Sequence, residues 1–245
     1  MPRPSAATGG LRRSAAHPHR EAAALRPKLE HAWPASPEEA VALQEELKAR
    51  VERSDRIGRV RRIAGVDVHF DRGGTRARAA VVVLTFPELE WQDVCFGRAE
   101  VPAVYRPGLL SLGAMPAVLD ALTTVCAPPD LFLGDAQGLA HPRRFGFACH
   151  LGVLFDRPAI GVAKGRLVGE HEPVPEGRGS WRPLVDRGEV VGAALRTRDH
   201  ARPLYVSIGH RVSLGTAIDL VLAAAPRYRL PEPLRQAHRW AGSRG

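Results

Sequence analysis

The sequence predicts an α/β fold, a mixed sheet flanked by helices in a single domain, and three observations predict it. The first is the stretch from Leu131 to Leu167, LFLGDAQGLAHPRRFGFACHLGVLFDRPAIGVAKGRL. A short apolar run, Leu131 to Leu133, is followed by Asp135 and a small-residue turn. Next come His141-Pro142-Arg143-Arg144, a helix-like segment from about Phe145 to Phe155, and a second apolar run, Ala159 to Ala163, ending at Lys164. Strand, loop, helix, strand in that order is a βαβ unit whose parallel strands open their C-terminal ends on one sheet edge. The second observation is a series of three strand patterns upstream, joined by turns. The third is size: 245 residues at 44% hydrophobic can bury one sizeable core. Open α/β sheets bind ligands beyond the C-terminal ends of their strands. Asp135, His141, Arg143, Arg144 and Lys164 are therefore expected to share one crevice, an acid beside cations as metal-dependent phosphodiester chemistry requires.

Along the chain, residues 1–30 are rich in Ala, Arg, Pro and Ser without sustained periodicity and predict a disordered basic tail ahead of a domain over 31–240, with a short tail at 241–245. Ordered structure is expected from Trp33. Ser36 followed by Pro37, Glu38 and Glu39 is a helix start, and Val41, Leu43 and Leu47 supply the apolar stripe of a helix running to about Val51; Gln44 carries no signal of its own. RIAGVDVHF, Arg62 to Phe70, reads as a buried strand interrupted by Asp67. An acid in such a run is costly unless it is paired or binds a cation. Strands over Arg76 to Thr85 and Glu90 to Arg98 complete a meander around turns at Asp71-Arg72-Gly73-Gly74 and Phe86-Pro87-Glu88. The segment Val104 to Ser111 reads as a Pro-stiffened loop, with Tyr105 as a residue able to wedge between bases or simply to pack, ahead of a helix from roughly Gly113 to Val125. A long loop is expected from Val168 to Arg182, then strands at Glu189 to Arg196 and Pro203 to Ser207, a helix capped by Ser213, and a short terminal helix carrying His238. A meander followed by helix-linked strands is the plan of a ribonuclease H-like sheet.

A net charge of +9 and a pI near 10.4 favour a polyanionic partner. No apolar run approaches the roughly 18 residues of a membrane span, so no membrane association is expected and a cytoplasmic location is. The three cysteines, Cys95, Cys126 and Cys149, are odd in number and far apart, as expected of small apolar residues in a reducing compartment rather than of a zinc site or disulfide framework.

From Trp33 to His238 the chain resembles endonuclease V, the deaminated-purine repair nuclease. The strings that carry the resemblance are IAGVDV with Asp67, YRPGLLS with Tyr105, DAQGLAHPRR with Asp135, HLGVLFDRPAIGVAK ending at Lys164, VSIGHRVSL around His210, and RLPEPLRQAH ending at His238. The resemblance implies a ribonuclease H-like fold and a Mg²⁺-dependent DNA endonuclease, with Mn²⁺ as substitute. Such an enzyme recognises hypoxanthine and cuts the second phosphodiester bond on its 3′ side. It implies Asp67 and Asp135 as metal ligands, Tyr105 as the wedge, and Gly108, Leu110, His141 and Leu167 as the base pocket. Lys164 matches the cleft lysine and His238 a position near the metal. Deoxyinosine-containing DNA is the expected partner, with inosine in RNA as the alternative, and a monomer the expected state.

The chain departs from the family pattern at four places. Ala114 stands where endonuclease V carries a metal-binding glutamate, and Asp120, six residues on and roughly 240° around the helix, is badly placed to replace it. Ala136 and Gly215 replace the usual glycine and glutamate, and Arg106 the aliphatic residue beside the wedge tyrosine. Two expectations follow: an active nuclease with a depleted metal shell, or a protein that binds inosine-containing strands without cutting them.

Overall fold

The computed structural model describes residues 24–101 and 108–242. Helix α1 (Pro37–Leu47) opens on Ser36, whose hydroxyl accepts from the Glu39 N–H, a cap worth about 1 kcal/mol. Strands β1 (Arg62–Phe70), β2 (Arg76–Thr85) and β3 (Trp91–Glu100) form the antiparallel meander. Helix α2 (Leu110–Leu122), strand β4 (Leu131–Gly134), helix α3 (Phe147–Phe155) and strand β5 (Ala159–Ala163) follow, with β4 parallel to both β1 and β5. Strands β6 (Trp181–Asp186), β7 (Glu189–Leu195) and β8 (Leu204–His210) extend the sheet antiparallel, and helices α4 (Leu214–Ala223) and α5 (Glu232–Ala241) close the chain. The strands form one eight-stranded sheet in the order β3-β2-β1-β4-β5-β8-β7-β6.

Two expectations differ from what is seen. Strand β6 lies partly inside the expected loop. Its sequence, WRPLVD, buries only Leu184 and contains Pro183, which an edge strand with one paired side tolerates. Packing also begins ahead of Trp33: the N–H of Leu25 bonds to the Leu122 carbonyl, and those of Lys28 and Leu29 to the Leu154 carbonyl. Two apolar side chains, Leu25 and Leu29, join the core beside α2 and α3, and this segment therefore does not behave as a polar tail. Residues 1–23 of the expected tail, and Tyr105 with its loop, lie outside the described residues. The cysteines form no disulfide; Cys95 and Cys149 are buried and Cys126 is half-buried.

Alternation along the central strands sorts the sheet's two faces. Ala64, Val66 and Phe132 pack with Met115 and Val118 of α2 and Leu151 and Leu154 of α3. Ile63, Leu131 and Leu133 pack in another cluster that includes Ile218 of α4 and Leu234 and Ala237 of α5. The approach of α5 to β1 is made possible by Gly65, where a Cβ would stand 2.2 Å from the backbone carbon and oxygen of Pro233. The helix then runs from Pro233 to His238, about 7.5 Å, while β1 runs from Gly65 to Asp67, about 7 Å. That parallel course carries His238 to Asp67.

Candidate active site

Asp67 and Asp135 meet because of strand register. Val66 pairs with Gly134, and the Asp135 N–H donates to the Val66 carbonyl at 3.0 Å. The two aspartates are therefore consecutive partners on adjacent parallel strands, at the point where β4 ends and β1 continues. Asp135 is 6% exposed at its side chain. Burial, then the charge of Asp67, raises its pKa above the usual carboxylate range, while Lys164 and His238 pull it back. Lys164, just beyond β5, donates from Nζ to Asp135 Oδ2 at 2.5 Å. His238 of α5 places Nδ1 2.7 Å from Asp67 Oδ2 and 3.7 Å from Asp135 Oδ2. With its proton on Nδ1 the imidazole donates to Asp67, and Lys164 Nζ, at 3.3 Å, is then a second donor beside it.

Ligand atoms of Asp67, Asp135 and His238 all lie within 4.8 Å of one another. Two carboxylates and an imidazole, converging from β1, β4 and α5, fit a hard divalent cation that takes oxygen and nitrogen donors and keeps waters of its own. A small cavity of about 20 Å³, room for roughly one water, lies between the acids and is lined by Asp67, Asp135, Leu110, Ala114 and Ala136 among others. Ala114 thus faces the carboxylates with a methyl group, and among the described residues no third acid lines that space. Asp120 points elsewhere: its carboxylate accepts from the Arg98 N–H of β3. Gly215 lies in the first turn of α4, where a Cβ would meet nothing within 4 Å.

The second cluster forms around the Gly108 carbonyl. Arg143 Nη2 approaches it at 2.7 Å, His141 Nε2 at 3.0 Å and Gln44 Nε2 at 3.2 Å. Gly108 takes φ +85, a left-handed conformation natural to glycine, and a Cβ there would lie 3.0 Å from Arg143 Nη2. His141 must carry its proton on Nε2 to bond that carbonyl, because Nδ1 accepts from the Arg143 N–H at 3.3 Å. Burial and the neighbouring Arg143 hold its pKa down to about 4, so it is neutral at pH 7. Leu110, two residues on, reaches the carboxylate cavity and joins the two clusters.

The expected single crevice is therefore divided. Lys164 stands with Asp135, and His141 and Arg143 stand with Gly108. Arg144 is engaged by Asp186 at 2.8 Å and Glu189 at 2.7 Å, which ties the loop to the β6–β7 hairpin. Leu167 is exposed, in the loop after β5. Two residues carried no functional signal in the sequence. Buried Gln44 accepts from Arg143 Nε at 2.6 Å while donating to Gly108 and to the Phe145 carbonyl at 3.2 Å. Arg229 holds the Lys164 carbonyl at 3.3 Å.

Residues 45–239 match the family model described as Endonuclease V. A relative from Roseiflexus castenholzii, named Endonuclease V, is 52% identical over 213 residues, spanning 87% of this chain and 95% of its own. The crystal structure of the endonuclease V from Streptomyces avermitilis superposes with a TM-score of 0.82 at 42% identity, covering 89% of this chain and 95% of that one. That of Ciona intestinalis endonuclease V, in complex with a 24mer DNA containing an inosine followed by a ribo-adenosine, superposes with a TM-score of 0.71 at 27% identity, covering 83% and 95%.

Proposed function

The chain belongs to the endonuclease V family of hydrolytic endonucleases, and from that premise we propose that it cuts DNA carrying deoxyinosine, using Mg²⁺, with Mn²⁺ as a substitute. We assign the cut to the second phosphodiester bond 3′ to the hypoxanthine nucleotide, leaving a 3′-hydroxyl; inosine in RNA is the alternative substrate, and a cytoplasmic monomer the acting form. The observation that carries this reading is the convergence of Asp67, Asp135 and His238 beside Lys164. Asp67 and Asp135 would hold the divalent ion, which when bound would supply polarisation of the phosphoryl group and acidification of a water. Lys164 adds a compact positive charge where a phosphate must sit. His238, 60% exposed at its side chain, orients Asp67 and can hold a proton at Nδ1. On the recognition side, Gly108, Leu110, His141 and Leu167 form the base pocket, Tyr105 is the wedge, and Arg143 and Arg144 serve the strand-binding face, Arg143 by bracing the Gly108 carbonyl. Hypoxanthine presents a carbonyl where adenine has an amino group, so donors in a flipped-base pocket can tell them apart.

Ala114 supports a second reading, since a methyl group occupies the wall from which a third carboxylate would reach the ion. In that reading the protein binds inosine-containing strands without cutting. The two are separated by incubating the purified protein with an inosine-containing duplex under titrated Mg²⁺ or Mn²⁺, beside Asp67→Ala and Ala114→Glu. The nuclease reading predicts cutting by the wild type, loss in Asp67→Ala, and a lower Mg²⁺ requirement in Ala114→Glu. A silent wild type beside an active Ala114→Glu establishes the binder. Absence of both cutting and inosine-dependent binding rejects both readings.

A further inference from the structure

Turn chemistry at the end of the β6–β7 hairpin brings two acids together. The hairpin closes through Arg187 (φ +54) and Gly188 (φ +79), the pair of left-handed residues that one favoured two-residue hairpin loop requires. Asp186 and Glu189 are therefore opposed across the last rung of the ladder, and like charges directly opposite one another on a sheet are destabilising. Arg144 spans that rung. Its Nη2 stands 2.8 Å from Asp186 Oδ2 and donates to the Asp186 carbonyl at 3.2 Å, while its Nε donates to Glu189 Oε2 at 2.7 Å. The other carboxylate oxygen of Glu189 accepts from Arg53 Nη1 at 2.6 Å. Bonds from Arg144 and Arg53 hold the Glu189 carboxyl below the usual carboxylate range, so it is charged at neutral pH. The side chains of Arg144 and Asp186 are 15% and 18% exposed, and salt screens them less than it screens surface charges.

The same guanidinium reaches back toward the Gly108 cluster. Arg144 Nη1 donates to the His141 carbonyl at 3.0 Å, beside the backbone bond from the Arg144 N–H to that oxygen at 2.8 Å. These two bonds close the His141–Arg144 turn with Arg144 at φ +57. A residue with a Cβ adopts that conformation at a cost, and it persists only where surrounding contacts impose it. The turn also sets where the Arg143 N–H points. That N–H donates to His141 Nδ1 at 3.3 Å, which leaves the ring proton on Nε2 for the Gly108 carbonyl at 3.0 Å. Contacts therefore run without a break from the hairpin turn through Arg144 and His141 to Gly108.

We propose that Asp186 and Glu189 are positioning residues for base recognition, acting through Arg144 to keep the Nε2 proton of His141 on the Gly108 carbonyl, an inference that rests on the function proposed above. Arg144 then serves the strand-binding face indirectly. Its charge is directed at the two acids, and its effect on a bound strand passes through His141. Once the turn loosens, the imidazole is free to swing away from Gly108. Discrimination between hypoxanthine and an ordinary base then falls, while the general attraction for phosphates is kept.

The test is fluorescence anisotropy with two labelled duplexes that differ only in inosine against adenosine, without divalent ion, across a salt series. The proteins are the wild type, Asp186→Asn with Glu189→Gln, Glu189→Gln alone, Arg144→Lys, and Glu176→Gln, which breaks an exposed pair with His200. Thermal melts establish the temperature range in which each is folded. The double amide variant should lose about tenfold in selectivity for inosine, the equivalent of one hydrogen bond, and its affinity for the adenosine duplex should not fall. Glu189→Gln alone should move the same way by less, and it carries the test if the double variant does not fold. Arg144→Lys keeps the charge and gives up the planar fork that spans two carboxylates; it should lose selectivity while its plot of log K against log salt keeps the wild-type slope. Glu176→Gln should match the wild type. Wild-type selectivity in the folded amide variants or in Arg144→Lys overturns the positioning role, whatever happens to their melting points. A wild type that binds the two duplexes alike instead overturns the function on which that role rests.

Discussion

Gln44 shows how much of this site depends on single polar side chains in apolar surroundings. It is 1% exposed, and its amide satisfies Gly108, Phe145 and Arg143 at once. Gln44→Leu keeps the approximate volume and removes all three bonds, leaving the Phe145 carbonyl and Arg143 Nε short of partners. A buried group so orphaned costs about 1–3 kcal/mol, so the urea midpoint should fall accordingly, and selection of inosine over adenosine strands should narrow as Gly108 loses its brace. An unchanged midpoint and selectivity would remove Gln44 from the pocket's support. This residue was illegible in the sequence because a glutamine on an amphipathic helix normally faces water. Asp67 and Asp135 were legible for the opposite reason, as acids set in apolar runs that ordinary packing does not explain. The charges of Arg143 and Arg144 were legible too, but their partners, Gln44 and Glu189, lie 99 and 45 residues away along the chain.

At the scale of elements, α5 is the piece whose placement decides whether His238 belongs to the site. A lone histidine near a chain end carries no signal in its own residue pattern, and only the family resemblance marked His238; its contact with Asp67 is made because the helix lies flat on β1, which Gly65 permits. Gly65→Ala forces the Pro233 backbone away, because a 2.2 Å separation is far inside van der Waals contact. Overpacking of this kind costs about 1–3 kcal/mol. The expected result is a lower thermal midpoint and, at temperatures where the variant is folded, a loss of cleavage rate larger than Gly58→Ala produces; Gly58 has open space around it. Equal effects of the two substitutions would detach α5 packing from activity. The strands of the meander and the βαβ unit were readable because their apolar runs are long and bounded by turns. Strand β6 was not, since only Leu184 is buried and its neighbours, Pro183 and flanking glycines, read as loop.

For the whole molecule, one sheet does the positioning: the parallel pair β1 and β4 presents the acids, β5 delivers Lys164, and helices from either side complete the pocket. The +9 charge was readable as an attraction for polyanions, but its distribution was not. Register alone reveals that two of those charges, Arg78 and Arg98, share a row beside the acids, while Arg144 also pairs with Asp186 and Glu189 of the β6–β7 hairpin. The central claim is that Asp67 and Asp135 jointly hold a divalent cation. Calorimetric titration of the purified protein with Mn²⁺ at neutral pH, beside Asp67→Asn and Asp135→Asn, tests it most directly. The account predicts saturable binding by the wild type and a loss of affinity of about tenfold or more in each variant, at least what losing a supporting contact to a metal ligand costs. Equal Mn²⁺ affinity in the three proteins would contradict it.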